Sequence, residues 1–196
     1  MFTDWLRKVS KGIIQPIARL TGRLGISPNA LTIAGCVLNL GISVLIGMGY
    51  LRLGGFLLLP AFAFDALDGA VAREMNRVTK FGAFLDSCLD RISESAVFLA
   101  LAWWSMSRGT YLVAILAIVS LMGAMLVSYT RARAEAIGVD CKVGLFTRVE
   151  RGLLIIAGLI AGLSSLMLWV MAIGSVATAL QRIIYVYVKS RKALGQ

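Results

Sequence analysis

Residues 65–91 read DALDGAVAREMNRVTKFGAFLDSCLDR. They join two apolar runs, Leu53 to Ala72 and Phe81 to about Met106, through a short basic connection around Asn76 to Lys80. Asp65 and Asp68 stand three apart and Asp86 and Asp90 four apart, spacings that share one face of a helix. A helical hairpin turning at 76–80 therefore brings both pairs to the same depth. A charged side chain at the centre of a membrane helix costs roughly 2.5–3.5 kcal/mol on insertion scales. Like charges also repel, so four carboxylates at one level need compensation. A salt bridge to Arg73, Arg77 or Arg91 accounts for one aspartate but poorly for four at these spacings. A hard divalent cation with oxygen ligands accounts for all of them. Mg2+ or Mn2+ is expected; zinc is not, because the chain has no histidine and Cys36, Cys88 and Cys141 form no CxxC pair. Magnesium completes its shell with phosphate oxygens, so the expected substrate is a phosphate or diphosphate. Gly69, Ala72 and Gly82 leave room for a bulky ligand beside the helices, and Arg73 offers a planar fork to phosphate.

Outward from this hairpin, the 196 residues are 59% hydrophobic, which puts the chain in the membrane class. The reading is an all-α polytopic protein with a single domain over 1–196. A six-helix transmembrane bundle fills 28–190, and an amphipathic interfacial helix fills 1–25, where Arg7, Lys8, Lys11, Arg19 and Arg23 mix with Trp, Phe, Ile and Leu. Ser27-Pro28-Asn29 opens the first run, to about Tyr50, with Pro28 suited to a helix start. Further runs cover Tyr111 to about Tyr129, Leu153 to Leu163 and Leu166 to Val188.

The net charge of +10 is placed for orientation rather than for nucleic acid. With a cytoplasmic N-terminus, the inner loops receive Arg73, Arg77, Lys80, Arg131, Arg133, Lys142, Arg148, Arg151, Lys189, Arg191 and Lys192. The outer loops receive only Arg52 and Arg108. Both termini and the acidic cluster then face the cytoplasm. The cysteines read as small buried hydrophobes.

Asp65-xx-Asp68-Gly69-xx-Ala72-Arg73, eight residues, then Gly82-xxx-Asp86-xxx-Asp90 resembles the signature of the CDP-alcohol phosphotransferase family at every position. The resemblance covers nearly the whole chain. It implies a membrane enzyme of phospholipid biosynthesis, often a homodimer, that moves a phosphatidyl group from CDP-diacylglycerol to a small alcohol and releases CMP. It implies that Asp65, Asp68, Asp86 and Asp90 serve two metal ions, with Asp90 also taking the acceptor hydroxyl proton. Asn29, Thr32, Gly69, Ala72, Arg73 and Gly82 would then line the CDP-lipid pocket with Asp65 and Asp68.

Later in the chain, Ser128-Tyr-Thr-Arg131-Ala-Arg133-Ala-Glu135, Arg148-Val-Glu-Arg151 and Arg191 gather cations near helix ends. Each alone reads as a positive-inside anchor; convergent arginines bind a phosphorylated acceptor. The stretch is similar to the SYxKARAE and ERxER segments of a bacterial subgroup, the phosphatidylinositol-phosphate synthases. That likeness implies inositol 1-phosphate as acceptor, contacted by Ser128, Arg131, Arg133, Arg151 and Arg191. Arg131 stands where the subgroup has lysine, Thr147 where an acid is usual, and Asn29 where aspartate is common. Glycerol 3-phosphate, giving phosphatidylglycerophosphate, is the alternative acceptor. A polyprenyl-diphosphate transferase would be expected to carry DxxxD segments on separated helices. A transporter would be expected to show internal repeats, which this sequence lacks.

Overall fold

In a computed structural model, residues 27–74 and 78–193 are described, the side chains of 66–70, 73–74 and 192–193 excepted. The interfacial helix expected over 1–25 lies outside them. The described residues form six α-helices and no strand: α1 Pro28–Gly47, α2 Leu51–Glu74, α3 Lys80–Ser107, α4 Tyr111–Ala136, α5 Arg148–Ala161 and α6 Ser164–Ala193.

Local chemistry sets the boundaries. Ser27 caps α1 by accepting from the Ala30 amide at 3.2 Å, with Pro28 in the first turn. Thr79 caps α3 by accepting from the Gly82 amide at 2.9 Å. Gly162 ends α5 at φ 73°, in the left-handed region that suits glycine, and the Leu163 amide closes back on Gly158 O at 2.8 Å. The expected fifth span began at Leu153, but α5 begins at Arg148. Its arginines have acidic partners inside the protein and so do not end the helix. The sixth helix likewise runs from Ser164 to Ala193, past the expected Leu166–Val188 at both ends.

α1, α4 and α6 are long and apolar enough to cross a membrane. α3 has the length, yet Asp86, Asp90, Arg91 and Glu94 interrupt its first half. The 14 residues of α5 extend only about 21 Å, short of a ~30 Å hydrocarbon core. Val37, Phe56, Trp103, Ile115, Met122 and Ile184 are exposed, while Arg151 and Arg182 are buried. An apolar exterior around buried cations suits a lipid surround.

The principal packing partners close a ring: α1 on α2 and α3, α3 on α4, α4 on α6, α6 on α5, and α5 back on α2. Ile46, Phe98, Leu101, Ala117, Leu159 and Leu168 fill one end of its interior. The charged residues described below occupy the other.

Small residues set how closely the helices approach. A Cβ on Gly123 of α4 would come within 2.7 Å of Ser175 Cβ and 3.3 Å of the Val176 amide nitrogen on α6. Gly123→Val is therefore expected to overpack this seam at about 1–3 kcal/mol. The check is thermal unfolding in detergent, where the midpoint should fall. An unchanged midpoint would mean that α4 and α6 separate without cost.

The 137–147 connection is tied down rather than free. Buried Arg182 donates Nε to Val143 O at 2.8 Å and Nη1 to Val127 O. The Phe146 amide donates to Thr178 Oγ1 at 3.3 Å. Asp140 pairs with Lys142 at 2.8 Å, a hydrogen bond that holds the exposed Asp140 carboxyl below its ordinary pKa.

Candidate active site

The acidic half of the site is built by α2, α3 and α5. Asp65 reaches from α2 toward α1, where a Cβ on Gly35 would lie 3.0 Å from Asp65 Oδ1. Asp90 stands on α3, with Asp86 one turn earlier; both are half-buried. One nitrogen of Arg148, at the first turn of α5, lies 2.8 Å from Asp65 Oδ2 and 2.5 Å from Asp90 Oδ1. Two carboxylates from different helices thus face one point that accepts positive charge. Asp68, Gly69 and Arg73 continue α2, but their side chains lie outside the described residues; Ala72, on the same helix, is half-buried.

The N-termini of α1 and α3 meet beside this cluster. A side chain at Gly82 would press on Asn29 Oδ1 at 3.1 Å and Thr79 Oγ1 at 3.0 Å. Glycine lets the two helix ends close, so Asn29 and Gly82 are neighbours although far apart in sequence. Thr32 donates its hydroxyl to Pro28 O at 3.0 Å and is half-buried one turn along.

The donor chemistry fits a divalent cation. The acids are carboxylates alone, hard oxygen donors, and the shared contact of Asp65 and Asp90 with one guanidinium shows them converging. Among the described residues, however, no three His, Cys, Asp or Glu side chains gather closely enough to hold a metal ion. All three cysteines are free thiols; Cys36 and Cys141 are buried and Cys88 half-buried.

Next to the acids lies a cavity of about 610 Å3 lined by both signs of charge. Of the predicted acceptor contacts, Ser128, Arg131 and Arg151 line it. Arg133 and Arg191 are exposed and do not; Arg191 lies over the Tyr187 ring at 5.2 Å. Arg91, Arg148 and Arg182 line it as well. In the sequence Arg91 stands as a salt-bridge candidate and Arg148 as a span-end cation, while Arg182 lies inside the expected sixth run. Arg131 is held by Glu135 at 2.9 Å, and Arg91 donates Nη1 to Ser128 Oγ.

Arg151 is not placed as a positive-inside anchor would be. It is fully buried, donates to both oxygens of Glu94 at 2.7 and 2.9 Å, and donates again to Phe146 O at 2.9 Å. Glu94 was missed. A signal for it exists in the sequence: Glu94 follows Asp90 by four and Arg151 follows Arg148 by three, so acid and base repeat at one helical turn in both helices. A smaller cavity of about 60 Å3, lined by Asn39, Asp65, Asp90, Ser93, Glu94 and Arg148 with apolar neighbours, lies behind these pairs.

The family model for CDP-alcohol phosphatidyltransferase matches residues 25–180. A phosphatidylinositol phosphate synthase of Corynebacterium glutamicum is 37% identical over 188 residues, covering 91% of this chain and 85% of the relative. An archaetidylinositol phosphate synthase of Methanothermobacter thermautotrophicus is 35% identical, covering 92% of both chains. The crystal structure of Mycobacterium tuberculosis phosphatidylinositol phosphate synthase with CDP-DAG bound superposes with a TM-score of 0.85 at 35% identity, covering 89% of this chain and 94% of that one. The same enzyme in complex with manganese and citrate gives 0.82 at 34% identity, covering 89% and 88%.

Proposed function

The chain belongs to the CDP-alcohol phosphatidyltransferase family, and from that membership we propose that it transfers a phosphatidyl group from CDP-diacylglycerol to inositol 1-phosphate, giving phosphatidylinositol phosphate and CMP. The observation that carries the reading is the position of Arg148, which lies on both the paired carboxylates and the arginine-lined cavity. A site for a diphosphate and a site for an anionic acceptor therefore adjoin. The names and coverage of the relatives support the same acceptor.

In this reading the acceptor phosphate rests among Ser128, Arg131 and Arg151, which leaves a hydroxyl directed at the acids. Asp90 takes the proton as the hydroxyl oxygen forms its bond to the lipid-side phosphorus. The phosphorus–oxygen bond to CMP breaks, and CMP leaves. Asn29, Thr32, Gly69, Ala72, Arg73 and Gly82 receive the CDP moiety. Asp65, Asp68, Asp86 and Asp90 would hold divalent metal, Mg2+ or Mn2+ as two ions, which supplies charge neutralisation for the diphosphate. The manganese-bound relative supports the requirement. The distribution of arginine and lysine supports six spans in the cell membrane, with the site and both termini cytoplasmic, and the family resemblance supports a homodimer.

The test is CMP release by purified protein in detergent, with CDP-diacylglycerol, Mg2+ and one acceptor per reaction. Release with inositol 1-phosphate and not with glycerol 3-phosphate, serine or free inositol is expected. Release with glycerol 3-phosphate alone would replace the acceptor and leave the family intact. Chelation with EDTA is expected to abolish release, and Mg2+ or Mn2+ in excess to restore it. Undiminished turnover in EDTA would remove the metal from the reaction.

A further inference from the structure

Glu94 lies one turn beyond Asp90 on α3 and chelates the Arg151 guanidinium across the ring interior, since α3 and α5 are not principal packing partners. Glu94 Oε2 also stands 3.9 Å from Arg91 Nε, and Arg91 donates to Ser128 on α4. Arg91, Ser128 and Arg151 all line the large cavity, whereas Glu94 does not. One carboxylate behind the cavity wall therefore fixes the Arg151 guanidinium through two hydrogen bonds and lies within ion-pair distance of Arg91.

We propose that Glu94 is a positioning residue for the acceptor phosphate, holding the Arg151 guanidinium in the orientation that receives a phosphorylated alcohol. The inference rests on the phosphorylated-acceptor reading above. A guanidinium donates in a rigid planar fork. With one edge locked on Glu94 and one Nη1 bond on Phe146 O, the plane of Arg151 is set before the acceptor arrives.

Charge and orientation make opposite predictions here. As a negative charge near an anion site, Glu94 opposes phosphate binding, so neutralising it would tighten the acceptor. As an orienting group it favours binding, so neutralising it weakens the acceptor. Glu94→Gln keeps the shape and one oxygen acceptor but removes the charge and half of the chelate. The readout is the apparent KM for inositol 1-phosphate and for CDP-diacylglycerol, each from CMP release at saturating partner substrate.

Orientation predicts that Glu94→Gln raises the inositol 1-phosphate KM by about tenfold or more. It predicts a CDP-diacylglycerol KM within about twofold of wild type. Glu94→Asp, which keeps the charge on a shorter arm, should fall between the two. An acceptor KM that is unchanged or lower in Glu94→Gln overturns the inference, as does an equal rise in both KM values. If Glu94→Gln does not fold, as judged by gel filtration, Glu94→Asp decides by the same split. Wild-type protein that uses only free inositol or serine overturns the phosphorylated-acceptor reading, and this inference with it. Wild-type protein that uses a phosphorylated alcohol while the Glu94 variants keep its KM overturns this inference alone.

Discussion

Asp90→Asn is expected to reduce CMP release by about 10²–10⁴-fold, the usual contribution of a positioned proton acceptor, while CDP-diacylglycerol still binds. Asparagine has the size of aspartate and keeps an oxygen for Arg148, so the α3–α5 contact at this level survives. Asp65 remains on the same guanidinium at 2.8 Å. What disappears is a group able to take a proton from the acceptor hydroxyl, together with one negative charge. Donor binding, read as thermal protection by CDP-diacylglycerol, should therefore persist while turnover is lost. Normal turnover would take Asp90 out of the base role. Loss of both donor protection and turnover would assign Asp90 to donor or metal binding first.

Arg151→Ala is expected to destabilise the protein by about 3–5 kcal/mol, the range for removing one partner of a buried ion pair. The side chain of Arg151 is 1% exposed and that of Glu94 11%. Alanine would leave the Glu94 carboxylate without its chelate inside the ring and the Phe146 carbonyl without its donor. Buried acid–base pairs contribute less than they cost to break, because both ions were desolvated on folding. The double replacement Arg151→Met with Glu94→Leu should accordingly recover most of the unfolding midpoint in detergent. It should not recover use of a phosphorylated acceptor, since Arg151 lines the cavity. An Arg151→Ala protein that melts with the wild type would mean that water reaches Glu94 freely.

The helices were legible because the apolar runs, three of them of membrane length, are separated by charge and by the turns at Gly49, Gly109 and Gly162. The first turn of α5 was not, since Arg148 and Arg151 read as anchors beyond a span. Their partners Asp90 and Glu94 lie some 57 residues away in sequence, so the matching one-turn repeats of acid and base mark two charged faces without saying that those faces meet. The aspartates stand out in the sequence for the opposite reason, as like charges repeated at one helical turn on both arms of a hairpin, and the structure brings Asp65 and Asp90 onto one guanidinium. The acceptor contacts implied by the subgroup resemblance do not all share one cavity. Arg131 and Arg133 stand two apart, so a helix turns them to different faces, and only Arg131 reaches the cavity. Arg182 lies inside the expected run to Val188, where a single arginine among apolar residues carries no spacing signal of its own. In the structure it instead holds carbonyls on the connection after α4 and on α4 itself.

The bond from the Phe146 amide to Thr178 fixes the level of the first turn of α5 against α6, and α6 continues from there to Ala193, roughly 22 Å further. α6 thus carries the exposed Lys189 and Arg191 well beyond the level at which α5 begins. In the proposed reaction these two cations would draw an anionic acceptor inward by long-range attraction, a contribution to encounter rather than to the chemical step. Their loss would be felt as slower arrival at low acceptor concentration and would vanish at saturation.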